Sequence, residues 1–314
     1  MPSRYEEIDL DGVELQSIDE RESLVRIEDF PEPARLSAAD ADRILDSIPP
    51  ILAGNEIRSM MSSLRVARED ATPRIWTMGA HAIKVGLSRH LIALMEAGFV
   101  THLATNGAGI IHDCEISCFG HTSEDVAGTI RDGKFAVTEE TGEIINSAVG
   151  RAAAQKLGLG EAIGESIQKR NPTHIDVSLS AACYRLRIPF TVHVAIGTDV
   201  NHIHPSIDPA ALGDASHRDF RILAKSVSKL HGGLIVNLGS AVVLPVVIEK
   251  AIALAQNLGY GLRDFDGYDL DFIRHYRPGL NPVQRAIESG GHGAHITGHH
   301  ELTIPLLCAF LLSE

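Results

Sequence analysis

The chain has 314 residues, of which 44% are hydrophobic but only 5% aromatic, and its formal net charge is -13 at pH 7. This acidic balance argues against nucleic acid and anionic membranes as partners, because both bind cationic faces. The N-terminus is polar and acidic, so we expect no signal peptide, and the four cysteines include no CxxC pair. We therefore predict a cytoplasmic protein with reduced thiols and an aliphatic core.

Helical and strand-like segments alternate along the chain. Residues 1 to 36 are charged and carry Pro31 and Pro33, so we expect an extended N-terminal arm. A helix capped by Ser37 and a second helix then lead into a strand at 74 to 78. A turn at 79 to 81, a third helix and a strand at 99 to 105 complete a βαβ unit, whose strands are expected to be parallel.

The rest of the chain continues this alternation. The sequence predicts a capped helix start at 123 to 130, at least two helices within 138 to 169, and a helix at 173 to 186. Further strands are predicted at 190 to 195, 233 to 237, 263 to 275 and 293 to 297. Residues 37 to 314 are therefore expected to form a single α/β domain, with a Rossmann-like, doubly wound, mainly parallel sheet and helices on both faces.

Three apolar runs end in glycine-rich polar loops at 106 to 115, 238 to 242 and 298 to 301. A phosphate needs close backbone approach and free N–H donors, which a glycine-rich loop at a helix N-terminus supplies. We therefore predict that the chain binds NAD. The predicted cofactor-binding residues are Gly79, Ala80, His81, Thr105, Asn106, Gly107, Gly109, Asp113, Glu115, Thr198, Asp199, Gly239, Ser240, Ala241, Gly298, His299 and His300.

The candidate catalytic residues are His112, Asp199, His299 and Lys84. His112 is a candidate proton carrier because an unperturbed imidazole titrates at about 6.5, although a capping or packing role fits equally well. Asp199 follows a strand end, where α/β sheets bind ligands. Lys84 either contacts a phosphate, acts as a nucleophile or is simply solvated. Asp113 and Glu115 are predicted to hold a ribose or to serve as helix N-terminal acids.

Histidines are frequent, with 16 in the chain. His202, His204, His299 and His300 lie in loops and are conceivable metal ligands, but such histidines can equally hydrogen-bond ribose, phosphate or substrate. Their spacing matches no strong metal signature, so the predicted site contains no metal.

From Gly79 to the C-terminus, the order of motifs resembles that of deoxyhypusine synthase. The matching segments are GAHAIKVGL at 79 to 87, TNGAGIIHDCE at 105 to 115, GTDV at 197 to 200, LIVNLGSAV at 234 to 242 and HITGHHELTIPLL at 295 to 307. The resemblance implies NAD bound on a Rossmann-like sheet, in a homo-oligomer (a tetramer or dimer). It also implies active sites at the subunit interfaces.

One departure from that family concerns its chemistry. The family's reaction passes through an imine on a lysine shortly before the C-terminal cofactor loop, but this chain has no lysine after Lys250. Neither Arg277 nor Arg285 can replace it, because a guanidinium stays protonated. We therefore expect a divergent member that keeps NAD and does not synthesise deoxyhypusine.

The segment NGAGIIHDCE also resembles the NAD-binding domain of archaeal-type ornithine cyclodeaminases. Both families oxidise a C–N bond transiently, so the resemblances imply hydride transfer from a small amine, amino acid or polyol-like compound. The alternatives are a metal-dependent hydrolase that uses the histidine loops without NAD, and a non-catalytic NAD-binding protein. Replacing Gly239 with a bulky residue is expected to abolish NAD binding without disturbing the fold.

Overall fold

The computed structural model of the protein describes residues 4 to 313, so the first three residues of the predicted arm and the last residue of the predicted domain lie outside the description. Eight strands are present in this range. They are β1 (Ser23–Arg26), β2 (Arg74–Met78), β3 (His102–Asn106), β4 (His121–Glu124), β5 (Phe190–His193), β6 (Leu234–Leu238), β7 (Asp266–Asp271) and β8 (Gly293–Thr297).

Six of these strands form one parallel sheet in the order β5-β3-β2-β6-β7-β8. Numbered along the chain, this is the order 3-2-1-4-5-6 of a Rossmann sheet. The order reverses between β2 and β6, whose register pairs Met78 with Leu238. Because ligands in such sheets bind at the carboxyl ends of the strands beside the reversal, the loops after Met78 and Leu238 mark the expected binding edge.

Helices cover both faces of the sheet. They are α1 (Ala38–Ser47), α2 (Ala53–Glu69), α3 (His81–Lys84), α4 (Ser88–Glu96), α5 (Gly107–Phe119), α6 (Val126–Thr129), α7 (Glu139–Gln155), α8 (Leu159–Arg170), α9 (Leu179–Leu186), α10 (Pro209–Val227), α11 (Val243–Asn257), α12 (Tyr276–Pro278), α13 (Arg285–Ser289) and α14 (His300–Leu311). None of the helices within residues 4 to 313 is long and apolar enough to cross a membrane.

Alternate side chains along each strand point to opposite faces of the sheet and pack into two separate cores. Trp76 and Val236 pack into the larger core with α2, α4, α5 and α14, whereas Ile75 and Ile235 pack into the smaller core with α10 and α11. Strands buried on both faces in this way read as continuous apolar runs. The predicted fold class, an α/β protein with a parallel sheet between helical layers, is therefore confirmed.

The N-terminal segment packs closely against this domain. Its strand β1 pairs antiparallel with β4, and Ile18 and Phe30 are each only 1% exposed. Gly86 has a φ of +76°, and a side chain there would collide with the Asp29 carbonyl of the segment. This close approach splits the single predicted helix after residue 81 into α3 and α4.

Two predicted helix starts are wrong for similar reasons. Ser123 does not cap a helix, because Ser123 and Glu124 pair with the N-terminal segment in β4, and Asp125 caps the short helix α6 instead. The helix predicted from 173 begins only at Leu179, after a separate turn, with Ser178 as its cap. Both errors arise from contacts between distant segments. The Ser37 cap and the two helices within 138 to 169 are confirmed.

Candidate functional site

The loops after β2 and β6 meet at the reversal of strand order. A Cβ on Gly79 would lie 2.5 Å from the Gly239 carbonyl oxygen, so the two backbones approach as closely as they can. Gly239 has a φ of +63°, and a side chain there would strike the ring of His300. A bulky residue at 239 would strain the backbone as well as clash, so the expectation that its replacement spares the fold is wrong.

Aromatic rings surround these loops. The His300 ring lies 5.2 Å from the ring of His81, and Phe272 lies 5.5 Å from His81 and stacks on His299 at 5.8 Å. Buried His300 donates from Nε2 to the Leu270 carbonyl, and its Nδ1 has no hydrogen-bond partner among residues 4 to 313. No sequence pattern points to Phe272, although this residue directly follows the end of β7.

The remaining predicted residues of this edge are more peripheral. Ser240 is buried and accepts a hydrogen bond from the Leu244 backbone, which caps α11. Ala80, Ala241 and Gly298 are partly exposed on the loop surfaces. The carboxyl edge therefore combines two glycine turns with the N-termini of α11 and α14.

The N-terminus of α5 follows β3 at the same edge. The Asn106 side chain accepts a hydrogen bond from the Gly109 backbone and so caps the helix. Gly107 lies against the carboxylate of Asp199, and Gly109 lies against buried Thr105, whose hydroxyl donates to the Met78 carbonyl. These contacts give Thr105, Asn106 and Gly109 structural roles in joining strand to helix.

Asp113 faces away from the binding edge. Its carboxylate is fully buried and accepts hydrogen bonds from the hydroxyls of Ser178 and Ser180 and from the backbone of Leu179 and Ser180. Burial raises its pKa, and these donors oppose that shift. The predicted ribose contact of Asp113 does not fit this arrangement, because both oxygens are already used to cap α9.

A polar cavity of about 190 Å³ lies beside the N-terminus of α5. Three of the four predicted catalytic residues, Lys84, His112 and Asp199, line it together with Glu115 and Thr198. His299 is instead exposed at the neighbouring loop. The cavity also includes Arg21, Ala108, Ile111, Ser123, Glu124, Val126, Phe135 and Val200. Arg21 comes from the N-terminal segment, which the sequence reading did not connect with the site.

Asp199 is one of three acidic residues that line the cavity, with Glu115 and Glu124. It is 8% exposed, and its Oδ2 has no hydrogen-bond partner in the described part of the chain. Burial raises its pKa, while His202 and the Thr198 hydroxyl oppose the shift. Nδ1 of His202 accepts hydrogen bonds from the backbones of Gly197 and Asp199, which leaves the Nε2–H facing Asp199 Oδ2 at 3.6 Å. One oxygen of the carboxylate thus has no hydrogen-bond partner and is buried against Gly107 and His202.

His112 is the imidazole of the cavity. Burial lowers its pKa to about 4, with Lys84 and Arg21 acting in the same direction and Glu115 opposing them. The ring is therefore neutral at pH 7. Lys84 also contributes to the lowered pKa of His81, whose main cause is burial. Lys84 therefore lies within electrostatic range of both the cavity and the loops at the strand reversal.

The four histidines considered as metal ligands have other partners. His202 Nδ1 accepts from backbone N–H groups, His204 Nδ1 pairs with Ser206, and His300 donates to the Leu270 carbonyl. His299 stacks on Phe272 and lies 3.6 Å from Glu301. Between residues 4 and 313, no three His, Cys, Asp or Glu side chains are grouped so that they could hold a metal ion.

A buried polar row crosses the sheet next to this edge, and the sequence reading missed it. Thr77 bonds Asn237 at 3.0 Å, Asn237 donates to Asp269 at 2.8 Å, and Asp269 pairs with His295 at 2.9 Å. Asn237 also donates to the Ser240 carbonyl. The row therefore stabilises the loop after β6. The only sign of it in the sequence is a polar residue within each of the four strands that contribute to the row.

A larger cavity, of about 730 Å³, lies elsewhere. It is open and is lined by Pro189 and Phe190 at the amino end of β5, together with residues of α8 and α9 such as Gly160 and Tyr184. Because open α/β sheets bind ligands at their carboxyl ends, size alone does not make this groove the site. The smaller cavity holds the convergent titratable groups.

Comparison with known proteins adds a relation at the level of the fold. No protein-family model matches the sequence, and no curated protein sequence matches it significantly. The crystal structure of the ternary complex of AgrE with ornithine and NAD+ is similar, with a TM-score of 0.51 at 18% identity over 81% of this chain and 32% of that chain. The chain thus spans about a third of the length of AgrE.

Two further structures have lower TM-scores. A LOR/SDH protein from Methanococcus maripaludis S2 has a TM-score of 0.47 at 15% identity, over 90% of this chain and 73% of that one. A protein described as a deoxyhypusine synthase from Entamoeba histolytica has a TM-score of 0.47 at 12% identity, over 81% and 86%. At these identities, the chain shares a fold with AgrE, and the similarity extends no further than the fold.

Proposed function

We propose that the protein is an NAD-dependent enzyme that oxidises a small amine or hydroxyl compound by hydride transfer. The observation that carries the proposal is the position of the cavity. Lys84, His112 and Asp199 converge beside the two glycine turns at the strand reversal, where a Rossmann sheet binds its dinucleotide.

The residues at the reversal fit a dinucleotide. The Gly79 and Gly239 turns leave backbone free of side chains, and buried Nδ1 of His300 is an unused acceptor beside them. Ala80, Ala241 and Gly298 would lie along the cofactor, and the N-termini of α11 and α14 would face its phosphates. NAD, when bound, would supply the hydride acceptor.

The cavity itself suits the substrate. At about 190 Å³ it is smaller than the ~300 to 1,000 Å³ of typical cofactor-sized pockets, so it takes a small molecule beside the dinucleotide. Asp199 would attract an ammonium group through its negative charge, Lys84 would bind an anionic group, and neutral His112 would accept a proton. The AgrE complex contains ornithine, an amine of suitable size.

Exposed apolar side chains support the proposal of a homo-oligomer. They lie on the loops after β6 and β7, on α12 and on α14, and include Val242, Phe272, Ile273, Tyr276 and Leu302. Exposed apolar surface at a binding edge commonly marks an interface between subunits.

NAD binding can be tested by calorimetric titration with an Ala241→Asp variant. A carboxylate at this partly exposed loop position would repel the cofactor's phosphates, so we expect affinity to fall at least about tenfold. Asn257→Asp adds the same charge at the exposed far end of α11 and is the matched control. Native mass spectrometry of the purified protein would show bound NAD and the subunit number. Wild-type protein that binds no NAD would refute the proposal.

A further inference from the structure

One ion pair and two hydrogen bonds link the N-terminal segment to His112. Arg21 Nη2 lies 2.7 Å from Glu115 Oε2, the Thr122 hydroxyl donates to the same oxygen at 2.6 Å, and Nδ1 of His112 lies 2.7 Å from the Thr122 hydroxyl oxygen. Arg21 and Glu115 are nearly inaccessible to solvent, with side chains exposed by 3% and 1%. This linkage is therefore dry, and each proton in it has a defined place.

The direction of each hydrogen bond follows from the chemistry of the groups. Glu115 forms a buried ion pair with Arg21, so its carboxylate is ionised and can only accept hydrogen bonds. Thr122 has one hydroxyl proton, and at 2.6 Å from the carboxylate that proton must point to Glu115. The threonine oxygen can then only accept from His112. Nδ1 of His112 consequently carries the ring proton.

The other nitrogen of His112 faces the cavity. In a neutral imidazole with Nδ1 protonated, Nε2 has a lone pair. Within residues 4 to 313 no hydrogen bond to this atom is present, and it is not among the buried polar atoms closed off from solvent. The neighbouring cavity groups are Lys84 and Asp199.

We propose that Arg21, Glu115 and Thr122 hold His112 as the Nδ1–H tautomer, so that Nε2 is the general base for the substrate in this cavity. This inference rests on the proposed function for its chemistry. As the substrate O–H or N–H bond breaks, Nε2 takes the proton, and the released electron pair forms C=O or C=N. The hydride leaves the neighbouring carbon for the oxidised nicotinamide.

This assignment separates two kinds of residue. His112 is the catalytic residue, whereas Thr122, Glu115 and Arg21 are positioning residues that act through it. It also assigns a role to the N-terminal segment. Arg21 donates a hydrogen bond to Thr138 and, held in this way, positions the Glu115 carboxylate.

The tautomer can be read directly by NMR of protein labelled with nitrogen-15 at histidine, with the His112 signals assigned from a His112→Asn variant. In the wild type we expect Nδ1 protonated and Nε2 unprotonated at pH 7. Thr122→Val keeps the branched shape but removes the acceptor, so the tautomer ratio should move towards Nε2–H by about tenfold. Thr122→Ser, which restores the hydroxyl, should restore the wild-type signals.

Thr141→Val is the matched control. The Thr141 hydroxyl donates to the other oxygen of Glu115 at 2.9 Å and is equally buried, but it does not contact His112. We expect its removal to leave the His112 tautomer unchanged. Wild-type His112 protonated at Nε2, or an unchanged tautomer in folded Thr122→Val, would overturn the inference.

A second readout keeps the test separate from that of the proposed function. Diethyl pyrocarbonate modifies unprotonated imidazole nitrogens, so the rate at His112 should fall at least severalfold in Thr122→Val and not in Thr141→Val. Equal rates in wild type and Thr122→Val would count against the assignment. NAD titration of the same samples tests the cofactor independently, because the tautomer is fixed without any ligand.

Discussion

His102 is buried at the start of β3, and His112 is partly buried in the helix that follows this strand. Both ring nitrogens of His102 are occupied, by Ser226 Oγ at 2.8 Å and Thr191 Oγ1 at 2.9 Å. His112 has a partner at Nδ1 only and opens into a cavity. Burial is the main cause that lowers the pKa of both, to about 3 for His102 and about 4 for His112.

The comparison shows that a lowered pKa does not by itself identify a catalytic histidine. The pKa values of the two rings are shifted in the same direction by the same cause. What separates them is the second nitrogen, which is saturated within the protein in His102 and available to a ligand in His112. His102 is therefore expected to stabilise the fold, and His112 to serve the reaction.

The largest expected effect is on catalysis in His112→Asn. Loss of the general base should lower kcat by about 10² to 10⁴-fold, because positioned proton transfer contributes that much to typical rates. The melting temperature should stay close to that of the wild type. The measurement is NADH formation with a substrate found by screening small amines and hydroxy compounds. His217→Asn, at an exposed position on α10, is the control. A fully active His112→Asn would contradict the assigned role.

A smaller effect, on stability, is expected for His102→Leu. The substitution leaves the Ser226 hydroxyl without its partner and weakens the Thr191 contacts, so the free energy of unfolding should fall by about 2 to 4 kcal/mol. Urea unfolding measures this, and NAD affinity should be unchanged in the folded protein. If His112→Asn lowered the free energy of unfolding as much as His102→Leu does, the described difference between the two histidines would be contradicted.

The smallest effect concerns pH. Because the pKa of His102 is lowered on folding, the unfolded chain binds its proton first, and wild-type stability falls as pH drops from about 6.5 towards 3. His102→Leu lacks this contribution, so its stability deficit should narrow by up to about 1.4 kcal/mol per pH unit. Burial also raises the pKa of Asp219 to about 8. Asp219 is present in both proteins, so its contribution cancels in the difference between their stabilities. A deficit that stays constant down to pH 4 would show that His102 is not held neutral.

The sequence was sufficient for the layered fold. Runs at 74 to 78 and 293 to 297 coincide with β2 and β8. β2 is buried along its whole length, as expected for a central strand of a parallel sheet. The alternation of strands with helices implied a parallel sheet. The resemblance to deoxyhypusine synthase, by contrast, stays a prediction beyond the α/β fold.

The site was only partly accessible from sequence. Lys84, His112 and Asp199 were selected because they follow predicted strand ends, and those ends do meet at one edge. Asp113 shares that local pattern, yet its carboxylate points to α9. Successive side chains of a helix point in different directions. The side chain at 112 therefore lines the cavity, whereas the one at 113 points to α9.

The sequence by itself determined the composition of the core, the periodic alternation of strands and helices, and the glycine turns, because these depend on hydrophobic burial and local backbone geometry. The tertiary structure alone decided which polar groups have partners. Arg21 reaches Glu115 across 94 residues of chain, and Thr122 reaches His112 through the pairing of β4 with the N-terminal segment. Contacts between distant segments determine which tautomer a histidine adopts and which lone pairs have no partner. No local sequence pattern encodes these contacts.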